Sequence, residues 1–149
     1  LSDDLCFNKG PGVLAQMTEL FKQFRCSIVA IQEVPKDETH KYGVIRGEVL
    51  KDGIYRIDEM VEKPDPKDAP SNLAIIGRYI LTPDIFDILR ETPPGANGEI
   101  QITDALQTQA RNGCVMAYKF RGRRFDCGSV PGFVEATNFV YEHYYLPST

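Results

Sequence analysis

Residues 61–64, Val-Glu-Lys-Pro, set a carboxylate and an ammonium side by side where an alternating strand runs out. Pro64 has no N–H, so it ends strand pairing, and its ring restricts Lys63 toward extended backbone. Neighbouring strand residues point to opposite faces, so Glu62 and Lys63 do not both cover one surface. Such a pair can divide the work on one ligand. The carboxylate accepts hydrogen bonds from a neutral polyol, and the ammonium faces a phosphate. The same residues also suit a solvated charge pair ahead of a turn. Asp3 and Asp4 lie at a strand end, where ligands gather in open α/β sheets. An aspartate there can hold Mg²⁺, because hard cations prefer carboxylate oxygens; a turn or helix cap is the plainer use. Asp126, between Phe125 and Cys127-Gly128, offers a second carboxylate for a metal shared with phosphates, or a structural turn. Gly43, after Tyr42, lets the backbone approach a sugar, or marks a bulge. Arg121, Arg123 and Arg124 form a basic cluster that reads as a solvated loop, with phosphate contact as the alternative. His40 and His143 have no acid, serine or cysteine at a telling spacing. There is no Gly-rich phosphate loop and no nucleophilic triad.

These residues need a framework, and the composition supplies one. The chain has 149 residues, 42% hydrophobic and 26% charged, enough for one ordinary domain with a real core. A net charge of −4 disfavours nonspecific binding to nucleic acid or acidic membranes. No run of about 20 apolar residues calls for a membrane span, and no signal-like start is present. The four cysteines, Cys6, Cys26, Cys114 and Cys127, stand far apart without zinc-ligand spacing, as suits a cytoplasmic protein. The opening Leu1 to Leu5 reads as the end of a strand begun earlier, so the chain is expected to be the later part of a longer protein.

Apolar residues at 13, 14, 17, 20, 21 and 24 predict a helix over about 12–25. Residues 27–34 read as a buried strand and 35–41 as a polar loop. Strands over 42–50 and 54–61 flank Lys51-Asp52-Gly53, a hairpin signal. A proline-rich loop leads to a strand over 73–81. Thr82-Pro83-Asp84 signals a helix start with Thr82 as cap. A loop over 92–98 precedes a helix over about 99–111, and a strand follows over 114–121. Pro131 opens a last helix, and the tail from Leu146 is expected to be loose. Alternating helices and strands with one hairpin mean an α/β fold with a mixed sheet.

Taken in order, Leu1-Ser2-Asp3-Asp4, Tyr42-Gly43-Val44-Ile45, Val61-Glu62-Lys63-Pro64, Ser71-Asn72-Leu73-Ala74, Gly98-Glu99-Ile100-Gln101-Ile102-Thr103-Asp104-Ala105 and Asp126-Cys127-Gly128 resemble the second half of the bacterial UTP–glucose-1-phosphate uridylyltransferases, or UDP-glucose pyrophosphorylases. Glu-Lys-Pro and Tyr-Gly-Val are shared across sugar nucleotidyltransferases. The Ser-Asn-Leu-Ala, Glu-Ile-Gln-x-Thr-Asp-Ala and Asp-Cys-Gly stretches point to the uridylyl enzymes. The resemblance implies a Rossmann-like nucleotidyltransferase fold with a mixed central sheet, of which this chain holds the C-terminal, sugar- and metal-binding part. It implies the reaction of UTP with glucose 1-phosphate to give UDP-glucose and pyrophosphate, in the cytoplasm, in a homo-oligomer, with Mg²⁺. By the same resemblance Asp3 and Asp126 hold the metal, Glu62 binds glucose hydroxyls and Lys63 neutralises the sugar phosphate. Gly43 meets the sugar through its backbone, and Ile75 and Tyr79 line the pocket. Ser2 departs from the family's usual Pro or Gly. The family's glycine-rich loop, with its arginine and lysine for UTP, has no counterpart here. The expectation is therefore that the missing N-terminal half is required for turnover, and that a half-built sheet exposes strand edges. Thymidylyl or other sugar nucleotidyl transfer, or a non-catalytic nucleotide-sugar-binding module, are the alternatives.

Overall fold

The computed structural model describes residues 3–95 and 98–145. Leu1 and Ser2 of the expected strand end, residues 96 and 97 of the predicted loop, and the tail from Leu146 lie outside them. The chain folds as two compact units. One comprises the described residues up to Val13 together with those from Arg121 on; the other runs Leu14–Phe120.

The larger unit begins within helix α1 (Val13–Phe24), whose heptad-like apolar spacing buries Met17 completely. Strand β2 (Ser27–Glu33) follows, with Ile28, Val29, Ala30 and Ile31 all fully buried, as a run covered on both faces requires. The predicted polar loop is instead a 3-10 turn, Lys36–Lys41. Pro35 presets its entry at φ −53°, and Thr39 folds its hydroxyl back to the Lys36 carbonyl at 2.8 Å. β3 (Gly43–Lys51) and β4 (Ile54–Glu62) form the hairpin predicted from Asp52-Gly53, with Gly53 at φ 75°. β5 (Leu73–Ile80), α2 (Ile85–Glu91), α3 (Ile102–Asn112) and β6 (Val115–Lys119) complete the unit.

Helix α2 starts two residues later than Thr82 as its cap would set it. Asp84 stands at its cap and makes no capping bond. The Thr82 hydroxyl is taken up elsewhere, by Ser27 at 3.1 Å and by the Gln109 amide at 2.9 Å. Tertiary bonding here overrides local capping. Likewise α3 begins at Ile102, so residues 99–101 belong to the preceding loop.

The five strands of this unit close on themselves in the order β2-β5-β3-β4-β6, β6 returning to β2. Only the β2–β6 pair is parallel; the rest are antiparallel. The sheet is mixed, as expected, but its edges are not left open. Register shifts between Arg46 and Gly47, between Val49 and Lys51, and between Val29 and Ile31 bend the strands and increase their twist, which brings the ring round. Ile31, Ile45, Ile57, Met60, Ile75, Ala105 and Leu106 share one core cluster, so α3 packs its apolar stripe against the strands.

In the smaller unit, β1 (Asp4–Phe7) pairs antiparallel with β7 (Arg123–Asp126), a strand the sequence reading left unassigned. Helix α4 (Val130–Tyr144) begins with Ser129 as cap, its hydroxyl accepting from the Gly132 N–H at 3.2 Å, and with a proline in the first turn. Phe139 of α4 sits between Phe7 and Phe125, 4.9 Å from each ring centre. The basic cluster is not simply a solvated loop. The Arg124 side chain is 7% exposed and pairs with the buried carboxylate of Asp4. Arg123 pairs with Glu135 and lies over the Phe125 ring.

Candidate functional site

In the larger unit the candidate groups gather where β3 begins and β4 ends. The hairpin register sets Gly43 opposite Glu62, and the β3–β5 pairing of Val44 with Ala74 brings Ile75 alongside. A methyl group built on Gly43 would lie 3.0 Å from Thr103 Oγ1, 3.1 Å from Glu62 Oε2 and 3.3 Å from Ile75 Cδ1. Only a residue without a side chain leaves these three groups undisturbed. Three predicted residues, Gly43, Glu62 and Ile75, therefore meet at one point.

Thr103, for which the sequence alone suggests no role, is the fourth member. It is buried, and its Oγ1 donates to Glu62 Oε2 at 2.6 Å. One turn along the same face of α3, Gln107 accepts from the Met60 N–H and donates to the Asp58 carbonyl. Helix α3 is thus pinned to β4 by two side chains at i and i+4 spacing, and the first of them fixes one carboxylate oxygen of Glu62. Thr103 stood inside the Glu-Ile-Gln-Ile-Thr-Asp-Ala stretch, so a signal was present.

Lys63 departs from expectation. Its φ is +45°, in the left-handed region, where extended backbone was predicted from Pro64. The Lys63 N–H donates to the Tyr42 carbonyl at 3.0 Å, prolonging the β3–β4 ladder one step beyond Glu62. Holding that bond while the chain turns off at the buried Pro64 fixes the unusual conformation. A non-glycine residue in this region costs about 1–2 kcal/mol. Such strain clusters at ligand-handling positions. The Lys63 side chain is exposed and makes no ion pair among the described residues. Tyr79 lies four residues past Ile75, beyond the β2–β5 irregularity, opposite Val29. It packs against the core cluster and is not one of the three nearest neighbours of a Cβ on Gly43.

In the smaller unit, Asp3 and Asp126 come together. Asp4 pairs in register with Asp126, and the Cys127 N–H donates to the Asp3 carbonyl at 2.8 Å. A Cβ on Gly128 would fall 2.7 Å from Asp3 Oδ2 and 3.2 Å from Asp126 Oδ1. Two carboxylates far apart in sequence thus flank one bare backbone position. Gly128 donates its N–H to Asp126 Oδ1 at 3.1 Å, and Arg124 Nη2 stands 3.8 Å from Asp126 Oδ2. The structure also separates the two adjacent aspartates by role. Asp4 is buried against Arg124, while Asp3 is exposed.

Among the described residues no set of three or more His, Cys, Asp or Glu groups gathers as a metal cage. Two converging carboxylates still fit Mg²⁺, which takes one or two from a protein and fills its octahedron with waters and phosphate oxygens. The donor set is hard oxygen throughout, and adjacent carboxylates repel unless a cation lies between them.

Comparison with known proteins follows the same outline. A family profile described as Nucleotidyl transferase matches residues 1–143. A UTP–glucose-1-phosphate uridylyltransferase of Pseudomonas aeruginosa is 68% identical over 146 residues, which is 97% of this chain and 52% of that protein. One of Streptococcus pyogenes is 45% identical over 131 residues, covering 86% and 43% respectively. The chain thus spans about half the length of the curated relatives it matches. A crystal structure of UDP-glucose pyrophosphorylase complexed with UDP-glucose superposes with a TM-score of 0.91 at 62% identity, over 95% of this chain and 54% of the other. With the profile matched almost from end to end and the backbone shared at that level, the chain belongs to the nucleotidyl transferase family.

Proposed function

We propose that this chain carries the sugar-phosphate- and metal-handling part of an enzyme that transfers the uridylyl group of UTP to glucose 1-phosphate, giving UDP-glucose and pyrophosphate. The observation that carries this reading is the Glu62 carboxylate, oriented by the buried Thr103 hydroxyl beside the side-chain-free Gly43. A carboxylate held by one oxygen presents the other to hydroxyl donors, and a sugar ring supplies them.

In this reading Glu62 accepts hydrogen bonds from glucose hydroxyls and the Gly43 backbone lies against the ring. Ile75 supplies an apolar wall, with Tyr79 further along the strand. The Lys63 ammonium neutralises the sugar phosphate, which is a point-charge task suited to lysine. Asp3 and Asp126 hold a divalent cation, Mg²⁺, which offsets phosphate charge when bound. The phosphate oxygen of glucose 1-phosphate attacks the α-phosphorus in line, and pyrophosphate leaves without a covalent enzyme intermediate. The protein's contribution is then positioning and charge neutralisation. The triphosphate cradle belongs to the part of the relatives' length that this chain does not span. The whole enzyme works in the cytoplasm as a homo-oligomer, without nucleic acid or membrane partners. Among the described residues, no helix is long and apolar enough to cross a membrane.

The test is a chimera in which this sequence replaces the matching segment of the Pseudomonas aeruginosa relative. Pyrophosphate release is followed with UTP, dTTP and CTP in turn. The chimera is expected to prefer UTP, and Lys63→Ala is expected to lower its rate by about two orders of magnitude or more. The 149-residue chain alone is expected to make no UDP-glucose. A folded chimera that binds UTP but releases no pyrophosphate overturns the proposal, as does an unaffected Lys63→Ala variant.

A further inference from the structure

Cys26 and Cys114 are distant in sequence and lie outside the groups discussed so far. Cys26 directly precedes β2, and Cys114 directly precedes β6. The parallel register pairs Ser27 with Val115, so the two cysteines stand side by side one step before the paired segments. Neighbouring strands run about 4.7–4.9 Å apart, inside the backbone separation of about 4.4–6.8 Å that a disulfide spans. The thiols already touch. Cys26 Sγ donates to Cys114 Sγ at 3.4 Å, and Cys114 Sγ donates to Met116 Sδ at 3.5 Å. Their surroundings differ. Cys26 is buried, whereas Cys114 is exposed. A cavity of about 240 Å³, lined by Arg25, Cys26, Thr82, Asp84, Gln109 and Cys114 among others, opens on the pair.

We propose that Cys26 and Cys114 form a reversible oxidative modification site, a thiol pair that closes to a disulfide by exchange with a small-molecule disulfide such as oxidised glutathione. Exposed Cys114 attacks first. Its thiolate forms a bond to one glutathione sulfur, the glutathione S–S bond breaks, and one glutathione thiolate leaves. Cys26 then gives up its proton and attacks Cys114 Sγ, and the second glutathione leaves. Two protein thiols are oxidised and one glutathione disulfide is reduced to two thiols, so atoms and electrons balance. Burial, followed by the hydrogen bond to Cys114, pushes the Cys26 thiol up to about 12. The second step draws on a thiol that burial keeps protonated, so it quickens as pH rises. The new bond would tie β2 to β6 at the parallel seam of the ring, in a compartment where such bonds are transient rather than permanent.

The test uses the 149-residue chain, equilibrated with oxidised or reduced glutathione, quenched with acid, alkylated and mapped by mass spectrometry. With the oxidised form, the peptides holding Cys26 and Cys114 are expected to become cross-linked, and added reduced glutathione is expected to reverse this. Cys26→Ser is expected to accumulate a glutathione adduct at Cys114. Cys114→Ser is expected to slow glutathione uptake at Cys26 by about tenfold or more, as burial withholds the thiolate. The wild-type cross-link is read without any variant, so a misfolded variant leaves the test intact. The proposal is overturned if both cysteines stay fully alkylatable, if Cys114 keeps its adduct without a cross-link, or if Cys6 or Cys127 supplies the bridge.

Discussion

At the scale of single residues, two positions carry the most information about the larger unit's site. Gly43 is required by contact. A methyl there would press on Thr103 Oγ1 and Glu62 Oε2 at 3.0 and 3.1 Å, both held in a short hydrogen bond. Gly43→Ala is expected to cost about 1 kcal/mol in urea denaturation and to weaken UDP-glucose binding by calorimetry. If binding in the chimera is unchanged, the Gly43 role is wrong. In the reaction proposed above, Lys63 is required by chemistry in spite of its backbone. At φ +45° a glycine fits better than alanine, so Lys63→Gly is expected to be about 1 kcal/mol more stable than Lys63→Ala. Both variants are expected to lose turnover equally in the chimera. A residue held against local preference, whose replacement by the locally preferred one stabilises the fold and removes activity, is there for function. The sequence named both positions from their types and neighbours. It misjudged the Lys63 backbone because the rule for residues before proline is local, whereas the bond to the Tyr42 carbonyl is not. Thr103 was passed over for a similar reason: its role exists only once α3 is laid against β4.

Among elements, the β1–β7 pair depends on an ion pair with little access to solvent. Arg124 and Asp4 side chains are 7% and 2% exposed. Removing one partner from such a pair strands the other charge, at a cost of about 3–5 kcal/mol. Asp4→Leu is therefore expected to lower stability by an amount in that range in urea titrations. Adding Arg124→Met is expected to recover most of it, because no charge is then left buried. A double variant as unstable as the single one would show that the pair matters for shape rather than charge. Elements with strong periodicity were legible. The helix at 13–24, the buried run at 27–33 and the Asp-Gly hairpin all stand where the sequence put them. Elements set by tertiary partners were not. Thr82 reads as a cap, yet Ser27 and Gln109 claim its hydroxyl. Arg124 reads as loop, yet Asp4 buries it.

For the molecule as a whole, the pH range of stability follows from groups whose protonation differs between folded and unfolded chain. Burial, then the hydrogen bond to Cys114, holds the Cys26 thiol at about 12 against 9.0 in the unfolded chain. Folded protein keeps this proton more tightly, so the contribution is complete below about pH 9 and is lost as pH rises toward about 12. The midpoint of urea denaturation under reducing conditions is expected to fall between about pH 8 and about pH 10, and the fall is expected to be smaller in Cys26→Ala. An equal fall in both would assign the slope to other groups. On the acid side, hydrogen bonds from Thr82 and then Gln109 hold Asp84 below its usual value of 3.8. That contribution is present above pH 3.8 and is lost as the carboxylate protonates below it. Neither effect was readable from sequence, where Cys26 and Cys114 stand far apart and the Gln109 amide has no visible partner.

The closure of β2 against β6 also has a temporal side. It joins residues 27–31 to residues 115–119. A ribosome releases the apolar run Ile28 to Ile31 first, then must make everything from Val34 to Cys114 before the strand that covers its parallel flank exists. At about 5–20 residues per second that interval lasts several seconds. Throughout it a nascent strand, complete on one flank at most, is available to any chaperone or neighbouring polysome that offers it a partner.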